Sequence, residues 1–226
     1  MAIYLDHNAS TPLAKEAERA MAKAAKTYGN PSSPYQIGQS AKEQLESARE
    51  TIAHFIEADP SQLIFTSGAT ESNKQILHQL VSHYLKEKSK NPDAKAPHLI
   101  TTVTEHPSIL ASCRNLETYG IEISYLPVDA SGRIHLETLK NSIREETLLI
   151  SIMWANNETG VIQDIPKICD IAKQKRILVH SDASQFVGKL PCSFKASGVD
   201  FLSFSAHKCY GPKGVGALCI KDDTAA

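Results

Sequence analysis

Lys208 lies in the run FSAHKCYGPKG, residues 204–214, just after Ser205 and His207 and ahead of Gly211, Pro212, Gly214 and Gly216. A lysine amine captures carbonyl compounds when burial or nearby cations lower its pKa. Ser205 and His207 can donate to phosphate oxygens. The plain alternative is a solvated surface loop, where most lysines sit. Four other short stretches carry comparable chemistry. TSGATESN, residues 66–73, has Gly68 for a tight turn and Ala69-Thr70 opening a helix, whose free N–H groups suit a phosphate; it also reads as an ordinary strand-to-helix turn. TEHP, residues 104–107, offers His106 either as a helix cap or as a ring that lies on a flat ligand and moves protons. WANNETG, residues 154–160, is turn chemistry or, through Asn157, a partner for a ligand's polar edge. HSDASQ, residues 180–185, sets Asp182 to cap a short helix or to pair with a protonated heterocycle nitrogen, with Gln185 one turn on.

Short runs rich in β-branched residues place these stretches. Leu63–Phe65, His98–Thr102, Ile121–Leu126, Leu148–Met153, Ile177–His180, Phe201–Phe204 and Val215–Ile220 read as about seven buried strands. Segments of helical period lie between several of them: Gln36–Ile56, Asn73–Tyr84 and Asp164–Lys175. Lys86–Ala96 (KEKSKNPDAKA) reads as a hydrophilic loop. Strands alternating with helices imply an α/β fold with a mostly parallel sheet covered on both faces. Ligands of such sheets gather beyond the carboxyl ends of the strands. Each of the five stretches directly follows a strand. Together they supply a lysine for an aldehyde, an acid for a pyridinium nitrogen, a stacking histidine, and donors for a phosphate. That set matches the needs of pyridoxal 5'-phosphate. The glycines after Lys208 are expected to let the chain turn close to that cofactor.

Composition narrows the remaining classes. The 226 residues carry a formal net charge of −1 with no basic block, which argues against nucleic acid or an anionic membrane as partner. No run of about 18 apolar residues predicts a membrane span, and MAIYLDHNAST lacks the pattern of a secretory leader. The five cysteines, Cys113, Cys169, Cys192, Cys209 and Cys219, have no metal or redox spacing. They are expected to be buried free thiols, suited to a cytoplasmic location. No metal site is expected.

YLDHNASTP, FTSGATESN, TEHPSIL, SIMWANNETGVIQDI, HSDASQFVGKLP and FSAHKCYGPKGVGAL resemble, in order, motifs of the cysteine desulfurases of the class-V aminotransferase group. The resemblance runs from Ile3 to Ile220. It implies a fold-type I pyridoxal phosphate enzyme whose large domain has a seven-stranded, mainly parallel sheet between helices. It implies a homodimer that converts L-cysteine to L-alanine and passes the sulfur on as an enzyme persulfide. An acceptor or scaffold protein for iron–sulfur cluster assembly or thiolation would receive it. By motif, Lys208 resembles the Schiff-base lysine, Asp182 the partner of the ring nitrogen and His106 the stacked acid–base residue. Gln185 resembles the partner of the ring hydroxyl, Asn157 a residue near that edge, and Ala69, Thr70, Ser205 and His207 the phosphate binders. His7 and Trp154 depart from the common residues and are expected at the edge of the site. Residues 1–15 are expected to form an N-terminal arm and 16–226 the cofactor-binding large domain, without the family's C-terminal small domain. None of the five cysteines matches the persulfide motif, so this chain alone is expected to lack desulfurase activity. A selenocysteine lyase or another class-V lyase is the alternative chemistry, and a cofactor-free scaffold the non-enzymatic one.

Overall fold

Seven strands form one sheet in a computed structural model that describes residues 3–221. They are β1 (Leu63–Thr66), β2 (His98–Thr102), β3 (Glu122–Leu126), β4 (Thr147–Ser151), β5 (Leu178–Asp182), β6 (Phe201–Ser205) and β7 (Gly216–Ile220). The spatial order is β1-β7-β6-β5-β4-β2-β3. Only β7 runs against its neighbours; the other pairs are parallel. The expected strands are all present, with ends moved by at most two residues.

The helices are α1 (Lys15–Ala24), α2 (Gln36–Phe55), α3 (Ala69–Lys90), α4 (Pro107–Glu117), α5 (Leu136–Ser142), α6 (Ile165–Gln174) and α7 (Phe194–Ser197). Alternation along the strands divides the core in two. Leu99, Leu149, Phe201 and Leu218 pack on α3 and α4 through Leu77, Leu80, Ile109 and Leu116. Their neighbours Ile100, Ile150, Leu202 and Cys219 face the opposite side with Leu139 of α5, Ile168 and Ala172 of α6, and Phe194 of α7. Continuous apolar runs in the sequence thus reflect a sheet buried on both faces.

The residues that start the helices are the ones that aim the strand ends. Gly68 has φ 151°, a conformation that L side chains rarely adopt, and turns β1 directly into α3. A Cβ on Gly216 would lie 2.5 Å from the Gly68 Cα, so two glycines let β7 pass against that turn. Pro107 occupies the first turn of α4 behind His106, and the Asp164 side chain caps α6 by accepting from the Lys167 N–H.

The hydrophilic stretch 86–96 differs from expectation. Its first five residues continue α3 as far as Lys90. Lysine and glutamate are good helix formers, and Lys90 pairs with Glu87 at 3.1 Å across one turn, so polarity alone did not mark a loop.

Candidate active site

The carboxyl ends of β1, β2, β4, β5 and β6 converge on a cavity of about 220 Å³. Lys208, His106, Asp182, Ala69, Thr70, Asn157, Gln185, Ser205 and His207 all line it. Sequence positions far apart therefore meet because each terminates a neighbouring strand of one sheet.

Asp182 is the last residue of β5 and is buried. Its Oδ2 accepts from the Asn73 amide at 2.7 Å and its Oδ1 from the Ser184 N–H at 3.0 Å. Behind it, His180 is clamped across three strands, by Ser151 Oγ at 2.8 Å and Ser203 Oγ at 2.9 Å. Burial holds that imidazole neutral, with its pKa down at about 4.

His106 takes the cap role at α4, accepting from the Ser108 N–H at 3.1 Å, and also faces the cavity. Glu105 beside it is wholly enclosed. Its Oε1 accepts from the Met153 N–H and the Thr102 hydroxyl, each at 2.9 Å, so it ties the end of β2 to the loop after β4. Desolvation pushes its pKa up to about 8. In the WANNETG turn the two asparagines divide the work. Asn156 Oδ1 accepts from the N–H groups of Glu158 and Thr159, both at 2.9 Å, and Asn157 lines the cavity.

Ser205 Oγ accepts from the Ala69 N–H at 2.7 Å. The first amide of α3 therefore reaches the cavity through that hydroxyl, with Thr70 exposed on the same turn. Burial, together with the cations Lys208 and Lys213, lowers the His207 pKa. Lys208 is half-buried, and its amine donates to the carbonyls of Asn8 and, at 3.0 Å, of Ala9. Desolvation lowers its pKa against the opposing pull of Asp182, Asp6 and Glu158. Gln185 is fixed from both ends: its amide donates to Asn8 O at 2.9 Å and its carbonyl accepts from Lys189.

Two expectations need correction. The glycines after Lys208 do not line the cavity; Gly211 closes on Ala206 and Gly216 on Gly68, so they shape the β6–β7 connection. Trp154 is not at the edge of the site. Met153 and Ala155 line the cavity, and alternation turns Trp154 into the core, stacked on Phe186 at 4.1 Å. His7, against Tyr4 and Tyr210 on the exposed N-terminal segment, does not line the cavity but directly precedes Asn8, whose carbonyl accepts from Lys208 and Gln185. Sequence reasoning also missed Ala9, Ser108 and Ser184 in the lining. Ser108 stood within a quoted motif, but a small hydroxyl there carries no signal apart from its neighbours.

The sequence matches the family described as Aminotransferase class-V over residues 3–226. The chain belongs to the class-V aminotransferase family. It is 47% identical over 221 residues to a cysteine desulfurase IscS of Neisseria meningitidis, covering 97% of this chain and 53% of that protein. A cysteine desulfurase IscS of Dictyoglomus turgidum is 47% identical over 98% of this chain and 55% of its own length. The chain thus spans about half the length of the curated relatives it matches. Among solved structures, SspA in complex with cysteine superposes with a TM-score of 0.92 at 37% identity, over 100% of this chain and 63% of that one. A NifS-like protein gives 0.90 at 39% identity, over 98% and 60%. The fold is accordingly that of the large domain of fold-type I pyridoxal phosphate enzymes, as the sequence motifs implied.

Proposed function

We propose that this chain is the cofactor-binding portion of a cysteine desulfurase and that its cavity holds pyridoxal 5'-phosphate. One observation carries the reading: a half-buried lysine and a buried carboxylate share a cavity of about 220 Å³ with a helix N-terminus, a serine and two histidines. The donor set fits the group: an amine for the aldehyde, an acid for the ring nitrogen, hydroxyls and a helix start for the phosphate. Bound there, the cofactor supplies an electron-accepting ring that stabilises negative charge at the substrate carbon bearing the amino group.

The chain's own residues do the rest. Lys208 is the group that holds the aldehyde carbon, and its lowered pKa favours the uncharged amine needed for that. Asp182, oriented by Asn73 and Ser184, would hold a proton on the ring nitrogen. His106, which lines the cavity, would face the ring and move protons at the substrate. Gln185 and Asn157 hold the polar ring edge, and Ala69, Thr70, Ser205 and His207 take the phosphate. We assign residues 16–226 to the cofactor-binding domain and 1–15 to an arm; within it the Asn8 carbonyl accepts from Lys208 and Gln185.

L-Cysteine is the substrate we assign, supported by the relative solved with cysteine. None of the five cysteines of this chain serves as the sulfur acceptor. Cys113, Cys169 and Cys219 are buried with pKa values pushed up to about 12, and Cys192 to about 11. Burial also raises that of half-buried Cys209. None is poised as a thiolate. Five free thiols suit a reducing cytoplasm. The assembly we assign is a homodimer that delivers sulfur to an acceptor protein; Ile3, Leu5 and Tyr28, exposed by 85%, 86% and 83%, are apolar surface available to it.

The test adds pyridoxal phosphate to the purified chain and records visible absorbance. A yellow band fixed by borohydride in wild type and absent in Lys208→Ala is expected. A wild type that stays colourless, or a mutant that keeps the fixed band, overturns the reading. In the same samples L-cysteine should yield little alanine, and rapid alanine formation would refute the exclusion of the five cysteines.

A further inference from the structure

Asn73 was not among the site residues, and it does not line the cavity. It is fully buried in α3 between two groups that do. Its Nδ2 donates to Asp182 Oδ2 at 2.7 Å and to Ser108 Oγ at 3.0 Å. Its Oδ1 is buried and unpartnered. The amide cannot be turned over, because that would set its carbonyl oxygen against a carboxylate oxygen. Both of its N–H bonds are thus committed.

The consequence reaches His106. Ser108 Oγ already accepts from Asn73, and its own proton has His106 Nδ1 at 2.8 Å as acceptor. The Ser108 main-chain N–H points to the same nitrogen at 3.1 Å. A nitrogen that receives two donors carries no proton, so the ring proton sits on Nε2. Nε2 has no protein partner among the described residues.

We propose that Asn73 is a positioning residue that joins Asp182 to His106 through Ser108 and holds His106 as its Nε2–H tautomer. In this state His106 offers an N–H hydrogen bond at Nε2. It can accept a proton only at Nδ1, where two donors oppose it. The proposal, which rests on the cofactor reading above, gives it a direction: neutral His106 begins as a hydrogen-bond donor at Nε2, and the same helix residue that orients Asp182 also sets that polarity.

The experiment labels histidine with ¹⁵N and reads ring tautomers by NMR in the cofactor-free protein, with His106→Gln to assign the signal. Wild type is expected to show a protonated Nε2 and a strongly hydrogen-bonded, unprotonated Nδ1. Asn73→Leu and Ser108→Ala should each weaken the hydrogen bonding at Nδ1 and move its signal toward the unbonded position, and Ser108→Thr should restore the wild-type pattern. The other eight histidines report whether each variant is folded; if Asn73→Leu is not, the Ser108→Ala and Ser108→Thr pair decides. An Nδ1–H tautomer in wild type, or a His106 signal indifferent to the loss of the Ser108 hydroxyl, overturns the proposal. A parallel titration should show Asn73→Leu binding pyridoxal phosphate about tenfold more weakly, the loss of one bond to a charged group. Because the tautomer is read without cofactor, failure of wild type to bind pyridoxal phosphate would refute the cofactor assignment and leave the network judged on its own.

Discussion

The two ends of the sheet differ in a way that size misrepresents. The amino ends of β5 and β6 border a recess of about 1150 Å³, against about 220 Å³ at the carboxyl ends. The larger one is lined by four acidic and four basic side chains, Lys173, Arg176 and Lys221 among the latter, over an apolar floor that includes Val179 and Val199. Mixed charges of this kind are the usual dress of a solvated surface. The smaller cavity collects functional groups out of proportion to its volume, because parallel strands deliver their loops and helix starts to the same side. Convergent polar groups, rather than empty space, distinguish a site.

Substitutions can break that contrast. The largest expected effect is Lys208→Ala, which should abolish the borohydride-fixed band completely. Asp182→Ala should follow. Removing a hydrogen-bonded charge partner typically costs about 1.5–3 kcal/mol, so cofactor affinity should drop about tenfold to a hundredfold in an absorbance titration. Unchanged affinity would remove Asp182 from the site.

Next is the dependence of stability on pH that Glu105, at the carboxyl end, brings. Glu105 has its pKa raised from 4.5 to about 8, and His180 has its lowered from 6.5 to about 4. Between pH 4.5 and 6.5 the folded chain holds an extra proton on Glu105 and lacks one on His180, so the two effects cancel. Above pH 6.5 only Glu105 counts. The folded state then binds more protons, and stability falls as pH rises to 8, by about 2 kcal/mol in all. Thermal melts at pH 6.5 and 8 should show the fall in wild type and lose it in Glu105→Gln; a variant that keeps the slope would clear Glu105. The smallest effect is expected in the recess. Lys173→Ala should change stability by no more than about 0.5 kcal/mol and leave the cofactor band intact. Loss of the band there would overturn the contrast between the two ends.

Much of the site was legible because its parts are local. A strand ending in a tight turn, a proline after a histidine, and an acid at a strand mouth are short patterns whose geometry is largely set by their own backbones. The same locality explains the misses. The glycines after Lys208 advertise backbone freedom but not what the backbone approaches, and it proved to be Gly68 and Ala206. Trp154 differs from expectation because one step along an extended chain reverses the face a side chain occupies. Asn73 was visible as a polar residue on a helix, yet its value depends on Asp182, 109 positions away.

The amino-acid sequence by itself determined the seven strands, the α/β class and the residue types at each strand end, since these follow from periodicity and turn chemistry over a few residues. Tertiary structure decided which of them touch. The order β1-β7-β6-β5-β4-β2-β3 sets Ser205 beside Ala69, and the N-terminal segment returns to meet Lys208, 200 positions on. Such pairings are long-range choices made by burying both faces of one sheet, and no local pattern encodes them.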